Sequence, residues 1–217
     1  MKVTQLSSQK KDPSRVNLYI DEEFFCGLSL DSVAKFELYK GRELEETELA
    51  EILVDELKNR FSQRAMSYIS RAIKTEYQMR RYLKTLSIKK KGVWYKDVRD
   101  DQLQEIFDEI IAKLKGYGYL DDEEFAFQFI NSRIRSKPRG KRVLVSELMS
   151  KGVNKDLARK KVDELVEDEY DVLRSVYEKK YKEDKITIRD NKKIDFLKRK
   201  GFNWDLIKQL IEDESQK

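Results

Sequence analysis

A periodic set of helix-ending and helix-capping residues restricts the fold of this chain more than any other feature of its sequence. Three residue pairs are each separated by 49 positions, namely Gly152 and Gly201, Asn154 and Asn203, and Asp156 and Asp205. In both copies the glycine is typical of a helix C-terminus and the asparagine of a helix N-cap. Such a period predicts stacked helical units, in which each unit buries its apolar stripe against its neighbour.

The clearest copy of the unit lies in the stretch 118–152. Asp121 stands three residues before Glu124, as in a helix N-terminal capping box, and Phe125 and Phe129 then give the predicted helix an apolar face. A basic segment, 133–142, contains no acidic residue and is interrupted by a proline and a glycine. It is predicted to be an elbow that leads into a second helix, which ends at Gly152.

The first copy of the unit carries an insertion. Leu83 precedes its counterpart Leu148 by 65 residues, whereas Leu103 precedes Leu157 by only 54. The difference of 11 residues places the insertion in the segment SIKKKGVWYKDVR, residues 87–99. The spacing of its apolar residues differs from that of the predicted helices on either side.

Upstream of the repeats, a short β-hairpin is predicted where Val16, Leu18 and Ile20 alternate with other residues and a second apolar run follows the turn. Residues 1–14 are polar and are expected to be irregular. The predicted regions are an α+β region at 1–60, repeat 1 at 61–117, repeat 2 at 118–166 and repeat 3 at 167–217. The expected fold class is mainly α, an elongated curved stack of three-helix repeats with a small N-terminal β-hairpin plus helices.

The composition excludes much catalytic chemistry. The chain has no histidine, so His-based general bases and most zinc sites are excluded. Cys26 is the only cysteine and is interpreted as a small buried apolar residue. The run Asp121–Glu124 suggests a metal-dependent nuclease, but consecutive residues of a helix point in different directions and the helix dipole favours carboxylates there. No enzyme activity, metal or cofactor is expected.

The sequence also bears on the compartment and on membranes. No apolar run approaches the roughly 20 residues of a membrane helix, and the N-terminal residues lack the apolar core of a secretion signal. The chain is expected to be cytoplasmic, monomeric and without a membrane partner.

Positive charge concentrates at the predicted elbows, although the whole chain carries a net charge of only +5. If the repeats stack in register, the elbows form a basic strip on one concave flank, suited to a phosphate backbone or an acidic protein groove. The alternative for any single residue is a solvated charge at a helix end. The candidate binding residues are Arg71, Lys74, Arg80, Arg81, Arg133, Arg135, Lys137, Arg139, Lys141 and Arg142. Lys179, Lys180, Lys182 and Lys185 form the third elbow.

These motifs resemble the RecX family of bacterial recombination regulators over nearly the whole chain. The matching segments are RVNLYIDEEFFCGLS at 15–29, the pattern S-R…T-E…R-R-Y-L at 70–83, GYLDDEEFAFQFINSR at 118–133, PRGKR at 138–142 and ELMSKGV at 147–153. The resemblance implies tandem three-helix repeats and a protein that lies along the groove of the RecA filament and restrains its ATPase, strand-exchange and coprotease functions. The insertion at 87–99 departs from the family pattern.

The expected function is therefore regulation of RecA in recombination, DNA repair and the SOS response, with weak binding to single- or double-stranded DNA. An alternative is a stand-alone helical DNA-binding module that does not act through RecA. A nuclease is a third possibility, which the lack of a plausible metal constellation disfavours.

Overall fold

The structure, a computed structural model, describes residues 1–10, 12–95, 98–182 and 184–215. These residues contain three strands and ten helices. The strands are β1 (Val3–Ser8), β2 (Arg15–Ile20) and β3 (Glu23–Ser29). The helices are α1 (Leu30–Lys35), α2 (Glu46–Ile69), α3 (Glu76–Lys90), α4 (Asp100–Gly116), α5 (Asp122–Ser136), α6 (Lys141–Ser150), α7 (Lys155–Leu165), α8 (Glu169–Tyr181), α9 (Asn191–Lys200) and α10 (Trp204–Ser215).

The chain divides into two compact units. The first unit comprises Met1–Ile73 and Met79–Tyr119, and the second comprises Lys74–Gln78 and Leu120–Lys217. The mainly α fold class, with three-helix repeats and a small N-terminal sheet, is confirmed. The division into four regions at residues 60, 117 and 166 stays a prediction.

The N-terminal sheet of the first unit has three antiparallel strands in the order β1-β2-β3. The prediction that residues 1–14 are irregular is wrong, because Val3–Ser8 pairs with β2. Val3 is fully buried, and its backbone N–H donates to the Arg42 carbonyl oxygen at 2.8 Å. Cys26 is buried in the same core, as predicted, and burial raises the pKa of its thiol to about 12.

One continuous helix, α2, connects this sheet to the helices of the first unit. Residue 60, the predicted end of the N-terminal region, lies inside this helix, which runs unbroken through 24 residues because no glycine or proline interrupts it. Phe61 is completely buried at its centre, and its ring lies 5.1 Å from that of Phe107 and 5.4 Å from that of Trp94.

The predicted insertion is anchored to this core. Its first residues continue α3 to Lys90. Trp94 contacts Phe61, and the Tyr95 hydroxyl donates to the Ser87 carbonyl oxygen at 3.0 Å. Lys96 and Asp97 lie outside the described residues. The described part of the insertion therefore supplies aromatic packing to α2.

The second unit contains two consecutive helical trios, α5–α7 and α8–α10, and the capping residues predicted from the sequence begin their helices. The Asp121 carboxylate accepts hydrogen bonds from the backbone N–H groups of Glu123 and Glu124, at 2.8 and 3.1 Å. The side chains of Asn154 and Asn203 cap α7 and α10 in the same way. Within the described residues, no helix combines the length and the apolar character needed to cross a membrane.

Candidate functional site

The N-terminal end of α6 is held by the trio that follows it. The backbone N–H of Gly140 donates to the Lys200 carbonyl oxygen at 2.9 Å, and that of Lys141 donates to the Glu169 carboxylate at 2.7 Å. These bonds satisfy groups that a helix terminus leaves unpaired. We call this contact the α6 junction; it joins the basic elbow of one trio to the end of α9 in the next.

The same arrangement recurs at the N-terminal end of α3. The Thr75 hydroxyl donates to the Lys151 carbonyl oxygen at 2.6 Å, and the backbone N–H of Glu76 donates to the Asp122 carboxylate at 2.9 Å. We call this contact the α3 junction; all of these residues belong to the second unit. The interpretation of the acidic run as capping was therefore incomplete, because Asp122 also caps a helix distant in sequence.

The α6 junction brings together a cluster of positive charges. Burial first, and then the charges of neighbouring cations, lower the pKa of the Lys200 ammonium. These cations are Arg139, Lys180, Lys137 and Lys179. We call the five residues the cationic cluster. Within the described part of the chain, none of them forms an ion pair.

An aromatic ring lies inside the cationic cluster. The Lys180 ammonium lies 3.8 Å from the centroid of the Phe196 ring, and the Lys200 ammonium lies 5.2 Å from it. Tyr181 packs edge-on against Phe196, with centroids 5.7 Å apart. Arg139 Nε is buried and has no hydrogen-bond partner. The cluster thus combines same-sign charges with an aromatic platform, a combination found in nucleic-acid grooves.

The α3 junction repeats this electrostatic pattern on a smaller scale. Burial and the charge of Lys151 lower the pKa of the Lys74 ammonium. Lys151 precedes Gly152 as Lys200 precedes Gly201. Both lysines were missed as candidate site residues, although the 49-residue period marked them as equivalent.

Three predicted site residues are engaged in ion pairs. Arg133 pairs with Glu147 at 2.7 Å and Lys141 with Asp163 at 3.0 Å. Arg80 pairs with Asp108. These pairs lie at or near the surface, where each stabilises the fold by about 0–1 kcal/mol.

The other predicted residues differ in their surroundings. Lys137 and Arg139 lie in the cationic cluster. The exposed predicted residues outside it are Arg71, Arg81, Arg135 and Arg142. Arg135 lines a shallow concavity of about 520 Å³ together with Phe127, which is 44% exposed. The structure thus brings two of the ten candidates together with the third elbow.

The described residues contain no group of three or more acidic, cysteine or histidine side chains placed to hold a metal ion. The acidic side chains of the α3 and α6 junctions act instead as backbone caps.

Comparison with known proteins gives consistent matches over nearly the whole chain. Residues 1–45 match the regulatory protein RecX N-terminal domain, and residues 121–161 match the second three-helix domain of RecX. The regulatory protein RecX of Bacillus licheniformis is 32% identical over 97% of this chain and 76% of its own length. That of Clostridioides difficile is 28% identical over 96% of this chain and 93% of its own length. A crystal structure of regulatory protein RecX has a similar fold, with a TM-score of 0.68 and 22% identity over 98% of this chain and 99% of that chain.

Proposed function

The chain belongs to the RecX family of regulatory proteins, and from this premise we propose that it binds the RecA recombinase filament and lowers its ATPase, strand-exchange and coprotease activities. The proposed activity is binding, and its context is recombination and DNA repair.

The observation that carries this proposal is the cationic cluster. Like charges held close together repel one another, and burial strengthens the repulsion because it removes screening water. The lowered pKa of Lys200 reflects both effects. A negatively charged surface placed against the cluster relieves the repulsion, so the cluster favours a partner such as a nucleoprotein filament, which carries phosphates and acidic side chains.

The proposed contact surface of the second unit centres on the cationic cluster, and Lys74, Arg135 and Arg142 are proposed as additional contacts of that unit. Arg71 and Arg81, which are exposed on the first unit, are proposed as separate contacts. Arg80, Arg133 and Lys141 already have acidic partners, so their expected contribution to binding is smaller.

A RecA titration tests the proposal. The wild-type protein is expected to lower ATP hydrolysis by RecA on single-stranded DNA at equimolar or lower ratios. The variant Lys137→Gln/Lys179→Gln/Lys180→Gln, which removes three exposed charges, is expected to need an about tenfold higher concentration for half-maximal inhibition. Steady-state ATPase rates across a protein titration provide the measurement.

A matched control for this titration is Lys155→Gln/Lys160→Gln/Lys208→Gln, which removes the same charge from exposed positions outside the cluster. It is expected to inhibit as the wild type does. Wild-type protein without effect on ATP hydrolysis at any ratio contradicts the proposed function. Equal inhibition by wild type and the cluster variant leaves the function standing and rejects the site.

The aromatic platform supports a second candidate function, a DNA-binding module that acts without RecA. Phe196 and Tyr181 could stack on bases while the cluster contacts phosphates. In that case the wild-type protein binds a labelled oligonucleotide alone, with an affinity that falls as salt rises. The affinity of the cluster variant is expected to fall less steeply with salt: the magnitude of the negative slope of log K against log salt decreases by about 2–3. Equal affinity and equal slope for the two proteins reject this function.

A further inference from the structure

The N-terminal end of α9 has the same place in its trio as the N-terminal end of α6. At α6, and likewise at α3, an acidic helix start from the following trio covers this position through Glu169 or Asp122. At α9 no described residue does so. Arg189, Asn191 and Lys192 are exposed there, and the adjacent Ile188 is 66% exposed.

A cleft of about 820 Å³ lies at this uncovered position. Its walls include Tyr181 and the cationic side chains of Lys180, Arg189, Lys192 and Arg199. The equivalent positions at α3 and α6 are filled by protein segments. The size and placement of the cleft therefore suit a segment of another protein more than a single ion.

The charges of the cleft specify the chemistry of that segment. Among the described residues, Arg189, Lys192 and Arg199 have no acidic partner. The Asp190 carboxylate is occupied, because it accepts hydrogen bonds from the Thr187 backbone N–H at 2.7 Å and hydroxyl at 2.8 Å. Asp195 is the other carboxylate among the described lining residues. The unpaired charge is thus mainly positive and complements an acidic segment.

We propose that this cleft is a docking surface for a partner-protein helix that begins with acidic residues. The acidic start of the partner helix then lies against the N-terminal end of α9, as the helix starts that contain Asp122 and Glu169 lie against the N-terminal ends of α3 and α6. A second copy of this chain is disfavoured as occupant, because its Asp122 and Glu169 are already engaged in its own junctions. The inference does not rest on the proposed RecA function, since among the described lining residues the cleft shares Lys180 alone with the cationic cluster.

The test uses the full chain and a defined peptide probe. The probe is YLDDEEFAFQFINSRIRS, the sequence of residues 119–136, with blocked ends and a fluorescent label. A control peptide replaces its DDEE by NNQQ. We expect fluorescence anisotropy to show binding of the acidic peptide at least about tenfold tighter than that of the neutral one. Amide chemical-shift changes on labelled protein are expected to concentrate in residues 188–199.

Two variants complete the test. Arg189→Glu/Lys192→Glu is expected to weaken binding of the acidic peptide by at least about tenfold, whereas the matched variant Lys155→Glu/Arg159→Glu, on the exposed face of α7, is expected to bind as the wild type does. Equal binding of the two peptides, or shift changes centred on Thr75–Tyr77, overturns the proposal. Self-association of the wild type that Arg189→Glu/Lys192→Glu abolishes in sedimentation assigns the cleft to a second copy and also overturns it.

Discussion

A Glu56→Ala variant is expected to unfold with a free energy about 3–5 kcal/mol below that of the wild-type protein. Glu56 is 2% exposed, and one of its carboxylate oxygens accepts from both Arg15 and Arg60. Both arginines also donate to the Gly27 carbonyl oxygen, at 2.8 and 3.1 Å. Removing the carboxylate leaves two largely buried positive charges without a counterion, at the point where the sheet packs on α2.

The unfolding of the first unit is best monitored by the fluorescence of Trp94, which packs against Phe61 in the core of that unit. Since the chain also contains Trp204, a Trp204→Phe background isolates the Trp94 fluorescence during a urea titration. Glu109→Ala is the matched control, because its carboxylate forms an exposed ion pair with Lys58 of the same helix, α2. It is expected to cost at most about 1 kcal/mol. Equal losses for Glu56→Ala and Glu109→Ala contradict the buried-charge explanation.

Gly201→Ala is expected to lower the free energy of unfolding of the second unit by about 2–4 kcal/mol, because strain and crowding act together. Gly201 ends α9 with a φ of 102°, a conformation that is strained for residues with a side chain. A Cβ placed there would also meet Val143 Cγ2 at 2.6 Å and the Val143 backbone nitrogen at 3.1 Å. The α6 junction requires this close approach.

Variants at two other glycines distinguish the cost of backbone strain from that of steric crowding. Gly118 has a φ of 72° but open space where a Cβ would lie, so Gly118→Ala is expected to cost only the strain, about 1–2 kcal/mol. Gly116 has neither positive φ nor a close neighbour, and Gly116→Ala is expected to be neutral or stabilising by up to about 1 kcal/mol. Trp204 fluorescence in a Trp94→Phe background reports on Gly201→Ala. A loss no larger than that of Gly118→Ala argues against crowding at the α6 junction.

The helix caps and the 49-residue period could be predicted from the sequence because both depend on neighbouring residues. Asp121 caps groups two and three positions away. Gly201 adopts its backbone conformation at the end of its own helix. The alternation of Val16, Leu18 and Ile20 likewise identified three buried residues of β2, since strand periodicity is a local property.

Predictions from the sequence failed where contacts with a segment distant along the chain determine the structure. The strand β1 is rich in polar residues and has little strand signal of its own, but pairing with β2 and burial of Val3 stabilise it. Glu56 lies four residues after Ile52 on the buried face of α2. Its charge made burial unexpected from sequence, and its pairing with Arg15, 41 positions earlier, together with Arg60, explains it.

For this protein the sequence by itself determined the family, the helical repeats and the basic character of the elbows, because each is written in residue types and short spacings. Tertiary structure alone decided which charges act together. Arg139 and Lys200 are 61 positions apart. They become neighbours because the hydrogen bond from the Gly140 N–H to the Lys200 carbonyl oxygen and the close approach of Gly201 to Val143 hold the elbow of one trio against the end of α9 in the next.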